Sequence, residues 1–341
     1  MSDHTNTRVL LARRPDGEPD DLDFTVEESP IPTIGDGEIL IRIDWLSIDP
    51  YMRGRMNDMK TYVDPMQLGD VVVGESAGVI AASRHPRWKV GDTVCVHSGW
   101  QSQYVTGGDD PTLYAVDASV HPLSNFLGVL GMPGRTAYFG LLRVGKPVAG
   151  ETVVVSAASG AVGSAVGQIA RNEGCRAVGV AGGPEKCRYV VDELGFDACV
   201  DYKAGNLAED LAKACPDGID VYFENVGGAV LRAVVPLLNE GARVPICGFV
   251  SAYNSRDITQ EETPFHVLGA LPNPPEHRFF IVYEFAADYP EANAQLSQWL
   301  TEGKLRHREC VAEGLENAPE AFRGLLRGRN FGKQLVRVAA D

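Results

Sequence analysis

A turn rich in small residues, Ala158-Ser159-Gly160-Ala161-Val162-Gly163, has the residue types and spacing that bind a nucleotide phosphate. The pattern is that of the dinucleotide-binding fingerprint, except that Ala158 stands where the first glycine usually is. Gly160 would let the backbone approach a pyrophosphate, and Gly163 would let the following helix pack close to the preceding strand. A helix N-terminus also offers N–H groups and partial positive charge. We therefore predict that Gly160, Ala161, Val162 and Gly163 bind a dinucleotide.

The residues after this turn indicate NADP(H) rather than NAD(H). An NAD-binding fold places an acidic side chain at the end of its second strand, where the carboxylate accepts a hydrogen bond from the ribose 2′-OH. That region here, residues 181–186, reads AGGPEK and has no carboxylate before Glu185. The glycines leave room for a 2′-phosphate, and Lys186 supplies the countercharge. The alternative is that Lys186 is a solvated lysine in the first turn of a helix.

The sequence around the turn predicts the elements that position it. Residues 152–155 form a β-branched run, and Val162, Val166, Ile169 and Ala170 recur at helical spacing. Residues 175–181 are typical of a second buried strand, which completes a strand–helix–strand unit. Serine, glycine and glutamine residues interrupt the apolar stretch 152–170 and argue against a membrane helix.

The rest of the chain divides into two regions with different patterns. Short β-rich runs separated by Gly, Pro and Asp fill the first 125 residues, at 9–13, 22–27, 38–44, 71–82, 93–97 and 102–106. Strands and helices alternate in the second region, with strands predicted at 152–156, 176–181, 198–201, 220–224, 242–247 and 279–283. The first pattern favours an antiparallel, barrel-like domain, and the second favours a doubly wound parallel sheet.

The composition of the 341-residue chain argues against several classes of protein. Its net charge of −15 offers no basic field to offset the repulsion of nucleic acid or of an anionic membrane. The N-terminal residues lack the apolar segment of a signal peptide. The seven cysteines are odd in number and widely spaced, so they indicate neither a disulfide framework nor a Cys-x-x-Cys metal site. A reducing cytoplasm is the expected location.

Motifs spread along the chain resemble those of one enzyme family. They are residues 49–56 (DPYMRGRM), 130–138 (LGMPGRTAY), 160–164 (GAVGS), 222–228 (YFENVGG) and 330–333 (NFGK). In this order they are similar to the zinc-free alkenal/prostaglandin reductases, leukotriene hydroxydehydrogenase-like NADP-dependent double-bond reductases of the medium-chain dehydrogenase/reductase superfamily. The likeness runs from about residue 31 to residue 336.

This resemblance implies an α/β fold in which a GroES-like β-barrel catalytic domain accompanies a Rossmann domain. We predict the barrel at residues 1–126 and 304–341, and the Rossmann NADP-binding domain at residues 127–303. The implied activity is NADPH-dependent reduction of the C=C bond of α,β-unsaturated ketones and aldehydes. The implied partners are NADP(H), a small-molecule enone or enal, and a second copy of the chain in a homodimer.

No metal site is expected. Zinc-dependent relatives carry a Gly-His-Glu motif where this chain has Val73-Gly74-Glu75, and they use a cysteine near residue 49 that is missing here. Zinc needs three or four well-placed N, S or O ligands. We therefore interpret Glu75 as structural and the scattered histidines as surface or packing residues.

The resemblance also assigns cofactor contacts. They are Lys186 and Tyr202 at the 2′-phosphate; Asn225; the loop Cys247, Gly248, Phe249, Val250, Ser251 and Tyr253 along the nicotinamide-side ribose; Phe280, Ile281 and Val282 at the carboxamide; and Asn330. Alternatives are edge packing for Tyr202, a simple turn for Asn225, and strand core for residues 280–282. Phe331 departs from the family pattern, in which leucine is frequent.

Two phenols are the candidates for chemistry. Hydride transfer to the β-carbon of an enone leaves an enolate, which needs stabilisation at oxygen and a proton at the α-carbon. The resemblance places Tyr253 beside the nicotinamide ribose, and a tyrosine is protonated at neutral pH. We predict that Tyr253 donates this proton; in the alternative, Tyr253 packs on the ribose and water is the donor. Tyr51 would line the cleft or order the carbonyl, or else only pack beside Pro50 and Met52.

Two other functions remain open from the sequence. One is an NADPH quinone reductase of the same superfamily, which would share the glycine turn. The other is a non-catalytic NADPH-binding module. The presence of Tyr253 favours an enzyme.

Overall fold

The computed structural model describes residues 5–59, 64–256 and 260–338. Two compact units divide them: the first comprises the described residues up to 128 with 309–330 and 334–338, and the second comprises 129–308 and 331–333. The predicted domains differ from these units at residues 127–128, 304–308 and 331–333. Backbone hydrogen bonds from Gly332 to Ser159 (3.1 Å) and from Lys333 to Arg308 (2.8 Å) join residues 331–333 to the second unit.

The strands and helices follow the chain in this order. The strands are β1 Thr5–Leu11, β2 Phe24–Pro30, β3 Glu38–Ser47, β4 Ser76–Ser83, β5 Thr93–Val96, β6 Gln103–Gly107, β7 Tyr114–Ala115, β8 Thr152–Ser156, β9 Arg176–Ala181, β10 Ala198–Asp201, β11 Ile219–Phe223, β12 Leu238–Ile246, β13 Glu276–Phe279, β14 Glu309–Glu313 and β15 Lys333–Arg337. The α-helices are α1 Tyr51–Arg55, α2 Met132–Phe139, α3 Ala161–Asn172, α4 Pro184–Arg188, α5 Leu207–Ala214, α6 Gly228–Val234, α7 Pro264–Gly269, α8 Tyr289–Thr301 and α9 Ala318–Leu326. Turns of 3₁₀-helix lie at Asp21–Asp23, Leu123–Leu127, Val235–Leu237, Val250–Ala252, Val282–Asp288 and Leu315–Asn317, and π-helical turns at Gly140–Gly145 and Tyr189–Glu193.

The first unit is built on antiparallel strands. Its main sheet has the order β14-β15-β3-β4-β5-β7, β6 also pairs with β3, and β1 pairs with β2. Ile39, Ile41 and Ile43 of β3 are buried while Arg42 between them is exposed, as the two-residue period of a strand requires. These isoleucines pack in a core that includes Trp100, which stacks on Phe24 at 5.8 Å between ring centroids.

The second unit is built on a parallel sheet. The strand order is β10-β9-β8-β11-β12-β13, which is the order of a dinucleotide-binding sheet. Every residue of β8 is buried, as expected for a central strand that is covered on both faces by helices. The order reverses between β8 and β11, and a ligand crevice forms outside the carboxyl ends of strands at such a point. The predicted α/β fold is confirmed.

A strand predicted at residues 71–82 is shorter than the apolar pattern indicated. β4 begins at Ser76. The N–H of Val72 instead donates to the carbonyl of Val9 (2.9 Å), and the carbonyl of Val72 accepts from the N–H of Trp100 (2.7 Å). Val72 is therefore buried and hydrogen-bonded to residues outside β4, although it precedes the start of that strand.

A strand predicted at residues 279–283 was also wrong in its bounds. β13 ends at Phe279, and Val282 begins a 3₁₀-helix. Phe280 keeps one backbone hydrogen bond to Ile246 (3.3 Å), but the N–H of Ile281 donates to the carboxylate of Glu284 (2.8 Å). This side-chain cap turns the backbone away from the sheet.

None of the helices within the described residues is both long enough and apolar enough to cross a membrane.

Candidate cofactor and active site

The turn after β8 forms a cradle of backbone N–H groups. Helix α3 begins at Ala161, and its N-cap Gly160 is extended (φ −85°, ψ 177°). A Cβ at Gly163 would lie 2.3 Å from the carbonyl oxygen of Ala157, and one at Gly160 would lie 3.2 Å from the same oxygen. Glycine at position 163 therefore lets the helix start this close to the strand. The N–H groups of Ala161, Val162 and Gly163 have no acceptors within the helix, which fits the pyrophosphate of a dinucleotide.

The alanine in place of the first fingerprint glycine is accommodated by a neighbouring strand. Ala158 is fully buried, and its N–H donates to the carbonyl of Val180 (3.0 Å). A Cβ at Gly179 of β9 would lie only 2.7 Å from the Cβ of Ala158. Gly179 thus leaves the space that the Ala158 methyl group occupies, and the departure from the fingerprint keeps the turn intact.

The end of β9 has the features predicted for a 2′-phosphate site. A Cβ at Gly182 would lie 2.7 Å from the ring of Tyr202, so the ring covers this glycine. Gly183 has φ 97°, a conformation that favours glycine. Lys186 follows in α4, and its Nζ lies 6.0 Å from the ring centroid of Phe331. The structure therefore brings Tyr202 to the glycines that precede Lys186; their role at the phosphate stays a prediction.

An acidic residue near this site was missed in the sequence. Asp201 ends β10 and pairs with Ala181 at the end of β9. Its Oδ1 accepts hydrogen bonds from the N–H of Gly183 (2.8 Å) and of Lys203 (2.9 Å). The carboxylate is therefore engaged in holding the loop between β9 and α4. The sequence signal was an acid at the end of β10. Its position beside the β9–α4 loop follows only once β10 is known to pair with β9.

The turn after β11 is tied to the end of β8 by Asn225. Its N–H donates to the hydroxyl of Ser156 and its side-chain amide donates to the carbonyl of Ser156, both at 2.8 Å. These bonds join the two strands at which the sheet order reverses. Asn225 thus stabilises the turn, which is the alternative role considered for it. The turn lies at the edge of the sheet where cofactor binding was predicted.

Glu224 is a buried acid that the sequence analysis did not single out. Its side chain has no solvent exposure. One carboxylate oxygen, Oε1, accepts hydrogen bonds from the hydroxyls of Tyr222 (2.9 Å) and Ser156 (3.1 Å) and from the N–H groups of Val226 (2.7 Å) and Gly227 (2.9 Å). Burial raises the pKa of Glu224, and these hydrogen bonds oppose the shift. The network fixes the turn that carries Asn225.

The loop after β12 is anchored to the same turn by its backbone. The hydrogen bonds run from Cys247 and Gly248 to the Glu224 carbonyl (2.9 and 3.2 Å), from Val250 to Asn225 (3.1 Å) and from Ser251 to Val226 (3.0 Å). Burial raises the pKa of the Cys247 thiol to about 12, and the nearby Glu224 adds to the shift. Cys247 is therefore a neutral thiol, and the loop contributes backbone and shape.

Tyr253 ends this loop with its hydroxyl over the backbone of Gly248. A Cβ at Gly248 would lie 2.6 Å from the Tyr253 hydroxyl oxygen. The Tyr253 ring meets Phe249 edge-on at 5.8 Å between centroids. The phenol consequently lies near the carboxyl end of β12, the edge of the sheet at which parallel strands present ligands.

Comparison with known proteins identifies the family. A model described as the N-terminal domain of oxidoreductase matches residues 7–113, and one described as zinc-binding dehydrogenase matches residues 161–286. NADPH-dependent curcumin reductase of Escherichia coli (strain K12) is 48% identical, with 98% of this chain and 98% of that protein covered. Prostaglandin reductase 1 of Oryctolagus cuniculus is 39% identical, with 93% and 89% covered. The chain belongs to the alkenal/prostaglandin reductase family.

A solved structure supports the same assignment. The crystal structure of CurA in complex with NADPH from Vibrio vulnificus matches this reductase with a TM-score of 0.93 and 46% identity, covering 98% of this chain and 100% of the other. The family expected from the motifs is confirmed, and so is the expectation that the chain is an NADP-dependent oxidoreductase.

Gly74, at the position of the histidine ligand of zinc-dependent relatives, is closely surrounded by apolar side chains. A Cβ at Gly74 would lie 3.0 Å from Leu46, 3.1 Å from Trp100 and 3.2 Å from Met52, all apolar side-chain atoms. Glu75 accepts a hydrogen bond from the hydroxyl of Tyr114 (2.9 Å), which agrees with a structural role. Within the ranges 5–59, 64–256 and 260–338, no group of three or more His, Cys, Asp or Glu residues is placed to hold a metal.

Tyr51 and Asn330 belong to the first unit of the reductase. Tyr51 begins α1, is half-buried, and packs against the core of that unit. This packing is the structural role considered for it. Asn330 is half-buried in the segment that precedes β15. The functions of both residues stay predictions.

Proposed function

We propose that this enzyme reduces the C=C bond of α,β-unsaturated ketones and aldehydes with NADPH. Its cofactor is NADP(H), as for the curcumin reductase of E. coli and the CurA complex. The glycine turn supports this cofactor, because Gly163 lets α3 begin close to the strand and the N–H groups of the first turn of α3 are then available to a pyrophosphate. The observation that carries the proposal is the phenol of Tyr253, placed over Gly248 at the edge of the sheet where ligands bind.

We assign the cofactor contacts by position along this edge. The α3 turn would hold the pyrophosphate, Gly182, Lys186 and Tyr202 the adenosine 2′-phosphate, and Asn225 with the loop after β12 the nicotinamide-side ribose. The segment Phe280, Ile281 and Val282 keeps its proposed place at the carboxamide; Phe280 is buried and meets Phe223 edge-on at 6.0 Å. Asn330 keeps its proposed role as a cofactor contact.

When bound, NADPH supplies the hydride that reaches the β-carbon of the acceptor. The Tyr253 hydroxyl donates a hydrogen bond to the acceptor oxygen as negative charge develops there. The same hydroxyl then gives its proton to the α-carbon of the enolate, and the tyrosinate that is left takes a proton from water before the next turnover. Donors aimed at developing charge are worth more in the transition state than in the ground state. Glu224 and Ser156 have a positioning role, because their hydrogen bonds hold the turn that carries Asn225.

The activity is tested by following NADPH consumption with a panel of enones, enals and quinones. We expect kcat/KM to be highest for enones and enals, with the carbonyl retained in the product. NADPH deuterated at the transferred position should place deuterium on the β-carbon, and D₂O should place it on the α-carbon. Label on the carbonyl carbon would contradict double-bond reduction.

The same panel separates the competing functions. Faster turnover of quinones than of every enone would identify a quinone reductase. NADPH that binds in a titration but is not consumed with any acceptor would identify a binding module. Each of these results would overturn the proposed reaction.

We expect metal chelators to leave the activity unchanged. The reason is that glycine, which has no ligand side chain, stands at the position of the histidine ligand, and that apolar side chains surround it. The measurement is NADPH oxidation before and after dialysis against a chelator, with elemental analysis of the purified protein. One zinc per chain, removed together with the activity, would contradict this prediction.

A further inference from the structure

Residues 331–333 run between the glycine turn and Arg308. Gly332 forms a β-bridge with Gly160, and its N–H donates to the carbonyl of Ser159 (3.1 Å). A Cβ at Gly332 would lie 2.0 Å from the carbonyl oxygen of Arg308, and φ at Gly332 is 79°. The position thus requires glycine. This close packing places Phe331 and Arg308 next to the proposed cofactor site within the second unit.

The side chain of Arg308 is stacked on an aromatic ring. Its guanidinium carbon lies 4.0 Å from the centroid of the Phe331 ring. The buried Tyr189 packs edge-on against the same ring at 5.0 Å between centroids. Tyr189 therefore fixes the ring, and the ring orients the planar guanidinium while leaving its N–H edge available for hydrogen bonds.

Two cations share this ring. The Nζ of Lys186 lies 6.0 Å from the Phe331 centroid. Arg308 is exposed, and in the part of the chain that the structure describes no carboxylate forms an ion pair with it. In a chain with a net charge of −15, Arg308 thus has no acidic partner among the described residues and lies beside a lysine. Such an arrangement recognises a dianion, because Arg presents parallel N–H donors and Lys acts as a point charge.

We infer that Arg308 binds the 2′-phosphate of NADP(H) together with Lys186, and that Phe331 holds the guanidinium in position. This inference rests on the proposed use of NADP(H). The pyrophosphate is already served by the N–H groups of α3, whereas Lys186 follows the end of β9, where the adenosine ribose of a dinucleotide lies. Arg308 is then a specificity-determining residue that lies outside the glycine turn and its flanking strands.

The test uses 2′,5′-ADP and 5′-AMP as probes, since they differ only in the 2′-phosphate. Calorimetric titration compares wild type with Arg308→Gln, which keeps a polar side chain but removes the charge. We expect Arg308→Gln to weaken 2′,5′-ADP about 10-fold, a change of ~1.4 kcal/mol, with 5′-AMP unchanged. The affinity for 2′,5′-ADP should also depend less on salt. Arg308→Lys should lose less than Arg308→Gln, because it keeps the charge.

Two further variants complete the test: Arg306→Gln is a control, and Phe331→Leu tests the role of the ring. Arg306→Gln removes an exposed charge two residues away, whose side chain bonds the carbonyl of Glu193 (3.2 Å), and it should leave both affinities unchanged. Phe331→Leu keeps apolar packing but removes the ring, and it should weaken 2′,5′-ADP alone. Unfolding temperatures confirm that each variant is folded.

Several results would overturn the inference. They are an unchanged 2′,5′-ADP affinity in Arg308→Gln, equal losses for both probes, or an equal loss in Arg306→Gln. A different result marks failure of the proposed function itself: wild type that binds both probes equally would show that the protein does not recognise the 2′-phosphate at all.

Discussion

Replacing Tyr253 with phenylalanine is expected to lower kcat by about 10- to 100-fold, at or below the lower end of the range for general acid catalysis. The substitution keeps the ring that packs against Phe249 and removes only the hydroxyl over Gly248. The lost hydrogen bond would be strongest in the transition state, so kcat should fall while NADPH affinity changes little. Water that enters the vacated space limits the loss. Weakly electrophilic enones should suffer more than reactive enals, because they need more stabilisation of the enolate.

The measurement is steady-state kinetics on one enone and one enal, with NADPH affinity titrated separately. Tyr138→Phe is a matched control: this phenol belongs to the same unit, but its hydroxyl bonds Glu291 (3.1 Å). Its removal should leave kcat unchanged. An unchanged kcat of Tyr253→Phe on both acceptors would remove Tyr253 from the mechanism and leave water or Tyr51 as donors to test.

The sequence predicted the backbone elements that depend on local spacing. The glycine turn and its flanking strand and helix lie within a short segment whose periodicity and small residues specify the backbone. The loop after β12 was expected from the family resemblance. The alternation of strands and helices also predicted the parallel sheet. Even the unusual Ala158 is explained by one residue, Gly179, on the adjacent strand.

The sequence did not predict groups that meet only through the sheet. Asp201 reaches Gly183 because β10 lies beside β9, and Glu224 bonds Ser156 across 68 positions in the chain. Arg308 and Phe331 lie 23 positions apart and meet beside a turn that is far from both in the sequence. The error at residues 279–283 has a local cause. The apolar run by itself indicates a strand, but the carboxylate of Glu284 accepts from the N–H of Ile281 and starts a 3₁₀-helix at Val282.

Replacing Lys186 with alanine is expected to weaken NADPH about 10- to 100-fold and NADH hardly at all. A charge-assisted hydrogen bond is worth roughly 1.5 to 3 kcal/mol, which corresponds to about that loss in affinity. Of the two cofactors, only NADPH carries the 2′-phosphate that this charge would bind. With Arg308 beside the same ring, the remaining guanidinium keeps part of the affinity, so the loss should grow when both cations are removed.

The measurement is a titration of NADPH and NADH on wild type, Lys186→Ala, Arg308→Gln and the double variant. Lys213→Ala is the matched control, because this exposed lysine in α5 of the same unit pairs with Asp210 (3.1 Å) and should leave both affinities unchanged. Two cations that bind one phosphate are coupled, so the effects of the single variants should not add. Strict additivity would indicate that Lys186 and Arg308 bind different groups of the cofactor. Equal losses for NADPH and NADH in Lys186→Ala would instead show that the lysine supports the fold of α4 rather than the 2′-phosphate.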